Sequence, residues 1–184
     1  MDKDRVTTYE DIARENYWQT VWRRFRHHRL ACVSLAVLAV ICTAAILAPV
    51  IAPYDPEEIA GPFGAAPSFK FILGTDQIGR DMLSRLLYAT RISLLVGVLA
   101  TAISTAIGVI LGLLGGYFGG WLDIAIMRFT DMVMSFPYIL LVLVAAAIFE
   151  PGLLSIILIL GFVDWPGIAR LVRGNVLSLR ETNF

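Results

Sequence analysis

Charge, cysteine and histidine are all scarce in this chain of 184 residues, and each scarcity excludes something. Only 16% of the residues are charged, and 15 basic side chains balance 15 acidic ones, so no global basic field points to nucleic acid. The two cysteines, Cys32 and Cys42, share one hydrophobic run without CxxC spacing. They read as small packing residues, with neither a disulfide nor a metal expected. The only histidines, His27 and His28, sit inside a basic cluster. No GxxxxGK[ST], HExxH or GxSxG occurs, so no catalytic residue, cofactor or metal site is expected. A potassium-channel filter of the TVGYG type is absent as well. Inverted repeats between the two halves are not evident, and no span shows the polar stripe of a self-assembling channel.

What is present is oil. Hydrophobic residues make up 58% of the chain and the mean hydropathy is +0.74, too apolar for a soluble domain of this size. An all-α integral membrane protein follows. About 29 polar and amphipathic residues precede the first apolar run, which is unlike a cleavable signal peptide, so that run is expected to stay as an anchor.

Residues 30–52 carry no charge and are long enough to cross the hydrocarbon layer as a helix. Just before them stands RRFRHHR, residues 23–29, which by the positive-inside rule holds the N-terminus in the cytoplasm. Upstream, Thr7 and Glu10 have capping-box spacing, and Trp18, Val21, Trp22 and Phe25 recur at helical intervals. Residues 1–29 therefore read as a cytoplasmic amphipathic segment on the inner membrane surface, the alternative being a dock for a partner protein.

Residues 53–91 then lie outside. Within them LGTDQIGRDMLSR, residues 73–85, is unusually polar. Thr75 and Asp76 can cap a turn or helix start, Gly79 can take a backbone conformation other residues resist, and Asp81 and Arg85 are spaced for an i,i+4 pair. Met82, Leu83, Leu86 and Leu87 share one face, which predicts an interfacial amphipathic helix leading into the next span. It would shape an external gate or simply fix the angle of the chain. The charges lack the spacing of a calcium loop.

The uncharged run 92–122 exceeds one straight crossing, so a tilted span or a re-entry turn is expected. Ser104, Gly108, Gly112 and Gly116 fall four apart and make a strip where another helix can approach closely. GGYFGG, residues 115–120, should break the helix on the cytoplasmic side. A third span is expected over 123–149, with Arg128 and Asp131 placed to pair and Pro137 kinking the helix or acting as a hinge. A fourth runs from about 153 to 169, interrupted by DWPG. There Asp164 is either a functional intramembrane acid or the cap of a new helix. Arg170, Arg173 and Arg180 again obey the positive-inside rule, giving four spans with both ends inside.

Several stretches resemble a known family in fixed order. LGTDQIGRDMLSRLLYATRISLLVGV closely resembles the segment before the second core span in permease subunits of ABC importers of the dipeptide, oligopeptide and nickel family. RRFRHHRLACVSLAVL, LAPVIAPYDP, GLLGGYFGGWLDIAIMRFTDMVMSFPYILL and WPGIARLVRGNVLSLRETNF add to it. The likeness covers nearly everything after Trp22 and is to the second of the two permeases in such systems. It implies a type I permease core over 92–184, with three spans and the start of the coupling region. The family motif at the external elbow falls on Gly74, Thr75, Asp76, Gly79, Arg80, Asp81 and Arg85. Gate or pathway candidates are Ser135, Pro137 and Asp164, and Arg170, Arg173, Arg180 and Glu181 lie near the ATPase-coupling region.

The resemblance further implies a second permease subunit, two cytoplasmic ATPases, an extracytoplasmic solute-binding protein and a bacterial or archaeal cell membrane. Family permeases have six spans. This chain stops at RETNF, where the coupling motif called EAA normally begins, so most of the coupling helix and two spans are expected to be missing from it. The second reading is a half-permease that serves as a membrane scaffold or regulator without transporting.

Overall fold

The computed structural model describes residues 17–181, which form helices and loops with only isolated β-bridges. Thr7, Glu10 and the side chain of Trp18 lie outside the described residues. The chain divides into two compact units, Met1–Arg91 and Ile92–Phe184.

In the first unit, α1 spans Tyr17–His27 and α2 spans Arg29–Ile46, separated by His28 in an extended conformation. Trp22 and Phe25, three residues apart, stack with ring centroids 6.0 Å apart, giving α1 the aromatic face its spacing predicts. Arg24, Arg26 and His27 fill its last turn, where the helix dipole favours positive charge. Cys32 donates its thiol to the Phe25 carbonyl at 3.4 Å, and both Cys32 and Cys42 are free thiols and partly buried. A short α3, Ala48–Ile51, takes Pro49 in its first turn, where the missing N–H costs nothing.

The helix after the loop, α4, spans Met82–Phe118. At about 1.5 Å per residue it is roughly 55 Å long, well beyond the hydrocarbon layer of ~30 Å. Neither a separate interfacial helix nor a re-entry turn is present: the expected elbow helix runs unbroken into the span. Its inward side at the start is Ser84, which is fully buried, while Met82 and Leu86 are exposed. The apolar face therefore points outward, as a surface meant for lipid would.

In the second unit α4 ends at Phe118, and Gly119, with φ of 65°, makes the break the glycine cluster predicts. Next come α5, Gly120–Met134; α6, Tyr138–Ile148; α7, Leu153–Val163; and α8, Trp165–Glu181. Among the described residues, three helical stretches are long and apolar enough to cross a membrane: Arg29–Ile46, Met82–Phe118 and Leu153–Arg180. The pair α5 and α6 makes four if it is one span, but it is bent by 85° at its break. Pro137 thus does not kink a continuous helix. It ends one helix and begins another, because its ring forbids the next hydrogen bond of the ladder.

The small-residue strip is a packing seam. A Cβ on Gly108 would sit 2.7 Å from Ile168, one on Gly112 would sit 2.6 Å from the Ala169 carbonyl, and one on Gly116 would sit 2.8 Å from Val176. Both numbers rise together, so α4 and α8 run parallel. Gly161 on α7 extends the seam from the other side, with Ile103 2.8 Å from where its Cβ would be. Ser104 and Ala169 are buried within it. Without the hydrophobic effect to drive helices together in lipid, such backbone-to-backbone closeness supplies the attraction through dispersion.

Candidate functional site

Three groups of side chains stand out, the first in the loop that precedes α4. Asp76 is its centre. One carboxylate oxygen accepts the N–H groups of Ile78 at 3.0 Å and Arg80 at 2.9 Å, and the other takes Nε of Arg80 at 2.9 Å and a nitrogen of Arg85. Burial alone would push this carboxyl up, but the Arg80 and Ile78 N–H groups and the Arg80 guanidinium outweigh it and hold it well below the usual carboxylate range. Arg80 also reaches exposed Glu57 at 3.4 Å.

Thr75 is buried and uses its hydroxyl twice, accepting from the Ala65 N–H at 2.8 Å and donating to the Pro62 carbonyl. Gly74 and Gly79 both have positive φ, 76° and 85°, and a Cβ on Gly79 would collide with the Gly61 carbonyl. The glycine at that motif position is therefore required by the turn itself. Phe71 fills the space left by Gly61 and packs on Tyr54 at 5.6 Å.

Asp81 and Arg85 do not pair. Arg85 turns to Asp76, while Asp81, almost fully buried, caps α4 by accepting the Ser84 N–H and hydroxyl, each at 2.8 Å. The Ser84 oxygen in turn accepts the Tyr54 N–H at 3.2 Å. A carboxylate three residues before a backbone N–H is better used on the orphan donors of the helix start than on an exposed i,i+4 pair. Ser84, Tyr54 and Glu57 were not singled out by sequence reasoning; the S at N3 after D was the only available signal.

The second group lies at the helix breaks. The break between α5 and α6 and the one between α7 and α8 face each other around a cavity of about 420 Å³. Phe136, Pro137 and Tyr138 line one side, and Val163, Asp164 and Pro166 the other. Thus two of the three predicted gate residues meet. Ser135 does not line the cavity: its hydroxyl donates back to the Asp131 carbonyl at 2.7 Å within its own helix end. Asp164 ends α7, its N–H bonded to the Leu160 carbonyl at 3.3 Å. Its side chain is exposed and, among the described residues, makes no capping bond to α8. Trp165 instead anchors the start of α8, buried and stacked on Phe129 at 5.8 Å. Tyr138 was also missed, since nothing in its local spacing distinguishes it from lipid-facing aromatics.

The third group fastens α8. Arg173 grips Asp123 with two nitrogens, one at 2.6 Å; Arg170 pairs with Asp131 at 2.7 Å; and Arg180 donates to the Gly116 and Tyr117 carbonyls at 3.0 and 3.1 Å. The expected Arg128–Asp131 pair does not form, because Asp131 faces α8 and is taken by Arg170. Arg180 satisfies the open carbonyls at the C-terminus of α4, where cations are favoured. Glu181 closes α8, and its side chain lies outside the described residues. Among the described residues no cluster of His, Cys, Asp or Glu could hold a metal ion.

Residues 16–67 match the N-terminal TM domain of oligopeptide transport permease C. Residues 108–184 match the inner membrane component of binding-protein-dependent transport systems. The glutathione transport system permease protein GsiD of Shigella flexneri serotype 5b (strain 8401) is 41% identical over 169 residues, which is 91% of this chain and 56% of that protein. The GsiD proteins of Escherichia coli O6:K15:H31 (strain 536 / UPEC) and Escherichia coli O157:H7 are each 40% identical over the same lengths. The chain thus spans little more than half the length of these relatives.

Proposed function

The chain belongs to the inner-membrane permeases of ABC importers of the dipeptide, oligopeptide and nickel family, and from that premise we propose that it forms part of a solute path through the membrane. The relatives named above are glutathione permeases, and a peptide-like solute of that kind is the substrate class we assign. Energy would come from two ATPases on the cytoplasmic side, solute from an extracytoplasmic binding protein, and the rest of the pore wall from a second permease. By the positive-inside rule the basic residues 23–29 favour a cytoplasmic N-terminus, and the arginines of α8 favour a cytoplasmic end for that helix. The loop 53–81 is then external.

The observation that carries this reading is the facing of two helix breaks around one cavity. Broken helices in a membrane expose backbone groups and relieve the ladder's stiffness, so they are tolerated where they line a cavity or move. Pro137 sits at one break as a hinge and Asp164 at the other. Two ion pairs tie α8 to α5, Arg173 to Asp123 near the start of α5 and Arg170 to Asp131 beside the α5–α6 break, so that a push on α8 would reach that bend.

Mild detergent extraction from native membranes, followed by pull-down, tests the assignment. Co-purification with two ATPases and a second permease, and ATP-driven uptake of glutathione by that assembly, is the expected result. A chain that comes down with no ATPase overturns it and leaves a membrane scaffold.

A further inference from the structure

Between Glu15 and Asp55 the sequence has no acidic residue, yet residues 23–29 hold four arginines and two histidines. Their counter-charge has to come from outside that segment. Arg29 opens α2, whose apolar stretch Arg29–Ile46 is long enough to cross a membrane, so the connection alone sets the cluster at one edge of that stretch, within reach of phospholipid headgroups. The side chains of Arg24, Arg26 and Arg29 make no ion pair or hydrogen bond among the described residues. Both helices lie in the stretch that matches the N-terminal TM domain and in the first compact unit.

Arg23, Arg26 and His27 are three and four residues apart on α1, so they share a face with Trp22, and the four line a cavity of about 410 Å³. The Trp22 ring is stacked on Phe25. An indole favours the boundary between headgroups and acyl chains, and a planar guanidinium takes two phosphate oxygens at once. We propose that this face of α1 binds the headgroup of an anionic phospholipid, with Arg26 and His27 on the phosphodiester, Arg23 beside them and Trp22 against the glycerol and upper acyl chain. A zwitterionic lipid carries its own cation next to the phosphate, which competes with the arginines; an anionic lipid brings the net negative charge that the segment lacks. This site stands apart from the solute path and needs neither an ATPase nor a second permease.

The test uses the full chain in phosphatidylcholine nanodiscs, into which phosphatidylglycerol or phosphatidylcholine, each brominated in the upper part of one acyl chain, is titrated. The Trp22 fluorescence is taken as the difference between the unaltered chain and Trp22→Phe. The expected result is quenching of that signal at a roughly fivefold lower mole fraction of the brominated phosphatidylglycerol, with no such preference at Trp121 and Trp165. Arg26→Gln should remove the preference, while Arg24→Gln, which deletes the same charge from a side chain outside the cavity, should keep most of it. Equal quenching by the two lipids overturns the site, and this contrast in the unaltered chain requires no variant to fold. Equal loss in the two arginine variants also overturns it, since the attraction would then be diffuse. Neither readout depends on transport, which the pull-down and uptake decide.

Discussion

The Asp76 carboxylate in the loop accepts four donated hydrogen bonds, from two backbone N–H groups and two arginines, whereas Gly112 in the α4–α8 seam contributes no side chain at all. Both hold their surroundings in one arrangement. In the loop, order comes from converging charges and N–H groups that fix a turn rich in glycine. In the seam it comes from the absence of atoms, so that the Ala169 carbonyl lies only 2.6 Å from where a Cβ would be. The difference teaches that a position's weight is not read from its polarity. Removing a side chain harms the loop, and adding one harms the seam.

The largest effect should come from adding bulk to the seam. Gly112→Leu must displace backbone, which does not yield as a flexible side chain would, so a loss of about 3 kcal/mol is expected in reversible unfolding in mixed micelles. Next is Asp81→Ala, which strips the cap of α4, leaves the Ser84 hydroxyl and N–H short of an acceptor and frees the Ser84 oxygen that holds the Tyr54 N–H. About 2 kcal/mol is expected, seen as faster amide exchange at Ser84 and Tyr54. If Asp81→Ala proved as harmful as the glycine change, the comparison would need redrawing.

Asp76 adds a pH signature. Its folded carboxyl titrates below the ordinary value of 3.8, so the unfolded chain binds its proton first as pH falls. The stabilisation is complete above about pH 4 and is lost as the solution becomes more acidic than that. Amide protection in the loop should be flat through neutrality and drop in acid, with a shallower drop in Asp76→Asn; the seam should show no such acid dependence. The smallest effect belongs to Glu57→Ala. Glu57 is exposed where it meets Arg80, and its loss should change stability by no more than about 0.5 kcal/mol in the same unfolding measurement.

The seam was legible in the sequence because period-four small residues have one geometric meaning on a helix, and Gly108, Gly112 and Gly116 all met their neighbours as the spacing required. Its other half was not: Gly161 and Ala169 are isolated small residues, and only the register of α7 and α8 against α4 gives them their place. The loop motif was legible as a turn, with Gly79 and Asp76 in the roles their chemistry predicts. The pairings were not, because i,i+3 and i,i+4 rules know only one helix. Arg85 found Asp76 across a turn and Asp131 found Arg170 on another helix. At the candidate site, Pro137 and Asp164 were each visible as breaks, but 27 residues separate them in sequence and only the fold brings them to one cavity.

The most direct test of that cavity as part of a solute path is the accessibility of position 138 to water. Tyr138→Cys is made in a chain whose Cys32 and Cys42 are alanine, and native-like membranes are treated with a charged, membrane-impermeant methanethiosulfonate. The account expects rapid modification, slowed when S-methylglutathione, which has no thiol to consume the reagent, is present in excess. A thiol that ignores the charged reagent while reacting with an apolar maleimide would place Tyr138 against lipid and contradict it.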